Sequence, residues 1–396
     1  CTGSGVIDEC GVCNGSGAVE NFTCSGFKPT GTSALQTAVN LWVSDNVTAL
    51  ATYGEINTWD VSLITDMSGM FWGKTTFNDD ISSWDMSNVT EMRVMFKSAT
   101  QFNQDLSDWD VSNVTDMEQM FHYADQFNGD ISNWDVSSAV TMKNMFYMCI
   151  NFNQNLSNWN VSNVTNMWAM FRGASSFNQN LSSWDVSIGP NMYQMFLDAD
   201  AFNQDLCGWD VSNVTNMQSI FYGTELFNQD ISCWDVSSIW NMSYMFSETN
   251  SFNQDISSWD VSSATNMNFM FDNANALSEE NQCAIHTSFS SNDAWPHDDW
   301  SAYCVVTGCM DESACNYNAD ATEDDGSCLQ DDCSGECGGS ALADTCGSCD
   351  SDSSNDCVQD CAGDWGGSAV ADECSVCAGD NSTCTDCLGV VNGSAF

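Results

Sequence analysis

Residues Phe252–Phe271 read FNQDISSWDVSSATNMNFMF, and the stretch is one copy of a pattern with a fixed period. Trp59, Trp84, Trp109, Trp134, Trp159, Trp184, Trp209, Trp234 and Trp259 stand 25 residues apart without an insertion. Met67 through Met267, Phe71 through Phe271 and Phe77 through Phe252 keep the same step. A period held this strictly implies stacked coils, because each position must lie on its counterpart in the next coil.

One coil supplies the local expectation. In Leu106-Ser-Asp-Trp109-Asp110-Val111, Trp109 and Val111 are two apart, which predicts one strand face with Asp110 on the other. Val114, Met117, Phe121 and Ala124 then follow at helical spacing, with Ser112 as N-cap. Pro190 takes the Thr115 position in another coil, within the first helical turn, where a missing N–H is harmless. The predicted architecture is a repeat solenoid with a short parallel strand and a short helix in each 25-residue coil. Nine coils at a strand spacing of roughly 4.8 Å would extend on the order of 40 Å. The Met and Phe stripes read as stacked core rather than a ligand box, since they recur in register.

Units such as Phe252–Phe271 resemble the BspA-like surface-protein repeats, a divergent leucine-rich-repeat branch, over roughly residues 28–306. The resemblance implies a leucine-rich-repeat-like solenoid on a cell-surface or secreted protein associated with adhesion, and it brings no catalytic residue. Ends of such a stack need covers. Ser33 to Thr52 carries Leu35, Val39, Trp42 and Val43 at helical spacing, and Ser278-Glu-Glu begins a helix after Leu277 replaces the ladder Phe. The predicted boundaries are a Cys-rich module at 1–27, a helical cap at 28–54, the nine coils at 55–277 and a disulfide cap at 278–306. An acidic three-Cys module at 307–330 and tandem Cys-rich modules at 331–396 follow.

The 55 acidic residues against 6 Lys and Arg give a net charge of −49. That excludes nucleic-acid binding by phosphate neutralisation and argues against anionic membranes. No apolar run is long enough for a membrane span. With 43% hydrophobic residues the chain is nonetheless expected to fold. Of the 22 cysteines, fifteen fall from Cys283 onward, among Gly, Asp and Ser. That pattern predicts disulfides in an oxidising, extracellular compartment. Zinc is the rival for the CxxC pairs Cys10/Cys13, Cys346/Cys349 and Cys374/Cys377, but none of His122, His286 and His297 lies beside one.

The tail is itself repetitive: the run from Cys361 to Cys384 matches that from Cys333 to Cys357, and Cys1 to Cys24 is a shortened copy. Similar modules recur as spacers in secreted proteins. Cys283 and Cys304 are expected to pair, and Cys207 and Cys233 face each other on adjacent coils as a candidate bridge. Cys337 is an extra cysteine that could join Cys309, Cys315 or Cys328, and Cys149 reads as a free buried thiol. Cys387 starts a further copy, so the natural chain is expected to continue.

Asp60, Asp85, Asp110, Asp135, Asp185, Asp210, Asp235 and Asp260 form an acidic column. A second passes through Asp80, Asp105, Asp130, Asp205, Asp230 and Asp255. Stacked like charges repel. Two readings follow: hydrogen bonding to turn N–H groups with hydration, or Ca²⁺ held between coils. The Ca²⁺ candidates are Asp85, Asp110, Asp135, Asp210 and Asp235, with Asp320, Asp324 and Asp325 in a tail loop beside Glu323. Asn78 through Asn253 read as a structural amide ladder. N-x-[ST] sequons mark Asn21, Asn46, Asn88, Asn113, Asn163, Asn180, Asn213 and Asn381 as glycosylation candidates in a eukaryotic host.

The functional expectation is an extracellular structural or adhesive protein, a segment of a larger surface fibre acting through itself or other extracellular proteins. The alternative is an adhesin that takes a protein or glycan on its exposed strand face. The Ser, Asn and Asp of that face offer no aromatic hot spot. A carboxylate-based glycoside hydrolase is a third reading, against which every coil would offer the same pair.

Overall fold

The computed structural model describes residues 21–23, 26–343, 347, 349–352, 357–372 and 375–378. The module expected at 1–27 lies almost entirely outside them, as do Cys346, Cys374, Cys384, Cys387 and Asn381. Two compact units divide at Cys304/Val305.

In the first unit, each coil lies on the next through columns of identical side chains. Phe121 stacks on Phe96 and Phe146 at 5.4 and 5.7 Å, with planes within 6° of parallel. Phe127 stacks on Phe102 and Phe152 at 5.9 and 6.0 Å, and Trp134 on Trp109 and Trp159 at 6.3 and 6.2 Å. These columns and the Met, Val and Ile/Leu columns form one continuous core. Trp adds to this packing what Phe could not, a bond from its indole N–H to another coil. Trp134 Nε1 donates to Leu106 O at 2.8 Å and Trp159 Nε1 to Ile131 O at 3.1 Å, and the bond recurs from Trp84 to Trp259. Leu106 O and Ile131 O also accept the N–H groups of Trp109 and Trp134, so the indole adds a second bond that ties one coil to another, worth about 1 kcal/mol net.

The predicted strand and helix are not what the backbone forms. Trp109–Val111 makes no bridge, and Val114–Ala124 is a run of tight turns. The parallel bridges fall there instead, joining Asp66, Glu91, Asp116, Thr141, Asn166 and Asn191 in series. The reason is geometric: turns closed by i→i−3 bonds turn apolar residues inward every three to four positions, as a helix does. Ser112 is not an N-cap either; its N–H and hydroxyl donate to Asp110 Oδ1 at 3.0 and 2.6 Å.

Pro190 is not harmless. Its counterparts donate to the preceding coil, as Thr115 N does to Thr90 O and Thr165 N to Val140 O, both at 2.9 Å. Proline has no such donor. Asn191 N takes Thr165 O instead, at 3.0 Å, and the bridge series is interrupted between Asn191 and Asn216.

The first coil would present unpaired carbonyls, a liability of any open ladder edge. Helix α1 (Thr32–Ser44) covers it, with α2 (Asn46–Tyr53) packed against α1. From α1, Thr32 Oγ1 donates to Asp66 O at 2.8 Å and Gln36 Nε2 to Met70 O at 3.0 Å. At the other end α3 (Glu279–Phe289) starts at Ser278, whose hydroxyl accepts from Asn281 N, with Glu279 and Glu280 in its first turn. Trp295 and Trp300 close over Phe271, and Cys283 is bonded to Cys304.

The second unit is held by disulfides Cys309–Cys328, Cys315–Cys337, Cys333–Cys349 and Cys361–Cys377. Its two tail copies share a carboxylate buckle. Asp332 accepts from the N–H groups of Ser334, Glu336 and Ala341, and Asp360 from those of Ala362, Asp364 and Ala369. The Ser334 hydroxyl and these N–H groups hold Asp332 down to about 2.

Candidate functional site: the turn-ladder surface

The ladder segment decides what each coil presents. In the first coil the N–H groups of Met67, Gly69, Phe71 and Gly73 donate to Glu91, Arg93, Met95 and Lys97 carbonyls of the next, at 2.8–2.9 Å. Between them Met70, Trp72 and Lys74 turn back onto the carbonyls three residues earlier. Two positions per coil take a positive φ, among them Gln119 and Tyr123 at 57°. For a non-glycine residue this costs roughly 1–2 kcal/mol, offset here by the ladder bonds. The consequence is an alternation of pairs: Met120 and Phe121 point into the core, while Glu118–Gln119 and His122–Tyr123 stand outside it.

Those outward pairs are where the coils stop repeating. The columns of Glu118 and His122 hold Arg93, Lys143 and Trp168, and Trp72, Lys97, Tyr147, Arg172 and Tyr222. The columns of Gln119 and Tyr123 hold Gln194, Tyr244 and Phe269, and Met148, Asp198 and Glu248. Apart from Lys74, beside them, every Lys and Arg of the nine coils lies in these columns, as does every non-core aromatic except Trp240. The expectation that the coil surface lacks aromatic anchors is therefore corrected: it was drawn from the Ser, Asn and Asp columns of another surface. The signal available in sequence was variation between coils at four fixed positions.

The side chains are ordered along the stack. Lys97 Nζ sits 5.9 Å over the Trp72 ring, Lys143 Nζ 4.7 Å over Trp168, and the Arg172 guanidinium 5.4 Å over Tyr147. Glu118 lies 3.6 Å from Arg93 and 3.5 Å from Lys143. His122 stacks on Tyr147 at 4.6 Å; burial, then Lys97, pull it down to about 4, so it is neutral at physiological pH.

The acidic candidates are engaged locally. Asp85, Asp110, Asp210 and Asp235 each accept the N–H and hydroxyl of the Ser two residues on, and Asp135 accepts Ser137 N. These bonds hold Asp135, Asp210 and Asp235 below the usual carboxylate range. In the tail loop Asp324 accepts Gly326 N and Asp325 accepts Ser327 N, while Asp320 N donates to Asn318 Oδ1. Among the described residues, one group of three potential metal-ligand atoms lies within 4.8 Å, that of Cys315, Asp331 and Cys337. Two of its members are joined as a disulfide. The structure thus gathers none of the eight Ca²⁺ candidates into such a group.

Cys207 is bonded to Cys233 across adjacent coils, and Cys149 is a buried free thiol donating to Ala124 O at 3.0 Å. The Asn78 column is an amide ladder, with Asn103 N donating to Asn78 Oδ1 at 2.8 Å and Asn128 N to Asn103 Oδ1. Of the sequon asparagines, Asn88, Asn113, Asn163 and Asn213 use Nδ2, the atom that would carry a glycan, to reach a Ser carbonyl of the preceding coil. Asn46 opens α2, exposed; Asn21 Oδ1 accepts from Thr30, and Asn180 Oδ1 from Ser182 N.

A family model described as a Mycoplasma protein of unknown function, DUF285, matches residues 41–148, 127–221 and 206–291. No curated protein matches the chain. Among the described residues no helix is long and apolar enough to cross a membrane.

Proposed function

The chain belongs to the DUF285 family, and from that premise we propose that it is a non-catalytic extracellular binding protein whose turn-ladder surface takes a protein or glycan partner. The fold in this reading is a nine-coil, leucine-rich-repeat-like solenoid in which turns replace the usual strand. The observation that carries it is the concentration of cations and outward aromatics, Lys74 and Trp240 apart, in four columns of an otherwise repetitive coil. Aromatic and Arg side chains are those that anchor interfaces. Their order along the stack lowers the entropy lost on binding. Six disulfides among the described cysteines support an oxidising compartment.

A second reading, a segment of a larger surface fibre, draws on the tandem buckled modules of the second unit, which suit a spacer. The first is tested with the intact chain on arrays of purified extracellular-matrix proteins and oligosaccharides. A Trp72→Ala/Tyr123→Ala/Trp168→Ala variant is expected to lose the bound partner, and an Asp85→Asn/Asp110→Asn/Asp135→Asn variant to keep it. The opposite pattern, or an intact chain that binds nothing on either array, overturns the reading.

A further inference from the structure

We infer that the groove on the ladder surface of the fifth to eighth coils is a subsite for a neutral saccharide. The inference rests on the binding role proposed above and names the ligand for one part of that surface. The groove has a volume of about 380 Å³ and is lined chiefly by Arg172, Gln194, Asp198, Gln218, Tyr222 and Tyr244. That volume falls within the roughly 300–1,000 Å³ of small-ligand sites. Eight residues line it, against the roughly 20–30 on each side of a stable protein interface.

The lining pairs two kinds of surface. Tyr244 stacks with Phe269 at 4.9 Å and 22°, and Tyr222 lies 6.3 Å from Tyr244, so flat apolar rings form one side. The other side is a preset hydrogen-bond network. Arg172 Nη1 donates to Gln194 Oε1 at 2.6 Å, Gln194 Nε2 to the Tyr193 hydroxyl at 3.0 Å, and Asn241 Nδ2 to Gln218 Oε1 at 3.0 Å. The Tyr222 hydroxyl donates to Glu248 Oε1 at 2.8 Å. These bonds use the amide oxygens and leave Gln218 Nε2 and further guanidinium N–H groups as donors beside the Asp198 carboxylate as acceptor.

Asp198 owes its place to a glycine. A Cβ at Gly223 would stand 2.4 Å from Asp198 Oδ1, so the carboxylate fills the space of a side chain there. A pyranose offers matching chemistry, with C–H faces for the rings and vicinal hydroxyls that both donate and accept. Charge selects among saccharides: the single cation, Arg172, is opposed by Asp198 and Glu248, so the groove carries no excess positive charge for sialylated or sulfated sugars.

The test is titration of the intact chain with maltotetraose, cellotetraose and chitotetraose, followed by calorimetry and saturation-transfer NMR, with sialyllactose and heparin tetrasaccharide as anionic probes. At least one neutral probe should bind, with an affinity indifferent to salt. Asp198→Asn and Tyr244→Ala should each weaken it about ten-fold or more, with melting temperatures and circular dichroism preserved. Asp85→Asn, remote from the groove, should leave it unchanged. No neutral probe bound, binding of the anionic probes alone, or binding untouched by both groove variants overturns the inference. If the saccharides are silent while a matrix protein still binds and is lost in the Trp72→Ala/Tyr123→Ala/Trp168→Ala variant, the inference fails and the broader binding role stands.

Discussion

Each coil shows two surfaces that solve different problems. On one, Asp110, Ser112 and Asn113 repeat almost unchanged, and their side chains are consumed in holding backbone: Asp110 closes its own turn and Asn113 bonds the coil before. On the other, the ladder bonds are made by main chain alone, so the backbone there closes without the outward side chains, whose contacts between coils, such as Glu118 with Arg93 and Lys143, are additions to it. That division explains why one surface tolerates Lys143, Trp168, Tyr193 and Gln218 in succession while the other repeats. Freedom to vary follows from where the hydrogen bonds go.

Removing one side chain of each kind separates the two surfaces most strongly. Trp159→Ala deletes a stacked ring and the indole bond to Ile131 O. It should cost about 3–5 kcal/mol by denaturant unfolding. Tyr193→Ala, on the ladder surface, should stay within about 0.5 kcal/mol of the parent. Comparable losses for the two would mean that the ladder surface supports the stack after all.

That asymmetry also bounds what could be read from sequence. The core was legible because the period of Trp59 to Trp259 and Phe71 to Phe271 states which residues lie on which. The backbone path was not: Val114, Met117, Phe121 and Ala124 have the same spacing in a helix and in successive tight turns. Nothing in Gln119 or Tyr123 announces a positive φ, which ladder bonding imposes. The candidate site is hard to read from sequence for a related reason: recurrence points to Asp and Asn, whereas the site lies at the four positions where the coils differ.

The two surfaces should also titrate in opposite directions. Ser hydroxyls and N–H groups hold Asp135, Asp185, Asp210, Asp235 and Asp260 low. On the ladder side, burial raises Asp125, Asp198 and Asp200, and burial with Asp116 and Asp66 nearby raises Glu91. A depressed carboxylate contributes stability that is present above its unfolded value and lost as pH falls through its folded value. A raised one opposes folding while ionised and is relieved as pH falls through its folded value. Melting temperature should therefore rise as pH drops from neutral towards about 4, then fall below it. General charge repulsion at −49 acts in the same direction on the first limb. Glu91→Gln separates the two causes: it should raise the melting temperature at neutral pH and shorten the climb, whereas a purely global effect would leave the shape of the curve intact.

The smallest effect lies where the repetition is broken by backbone chemistry. Pro190→Thr would restore the donor that Thr115 and Thr165 use, and with it a bond to Thr165 O now taken by Asn191 N. A backbone hydrogen bond contributes about 1 kcal/mol net, but losing proline frees the unfolded chain by roughly 0.4–1 kcal/mol. The two nearly cancel, so global stability should change by no more than about 0.6 kcal/mol, the largest difference of those terms. The local consequence is larger, because restoring the turn allows the Thr215 N–H to reach residue 190 as Trp240 N reaches Thr215 O at 3.0 Å. Hydrogen exchange at the Thr215 amide should slow in the variant while that of Thr165 stays as it was. An unchanged Thr215 rate would show that the interruption between Asn191 and Asn216 is set by Gly189, whose φ of 74° differs from its counterparts, rather than by the missing donor.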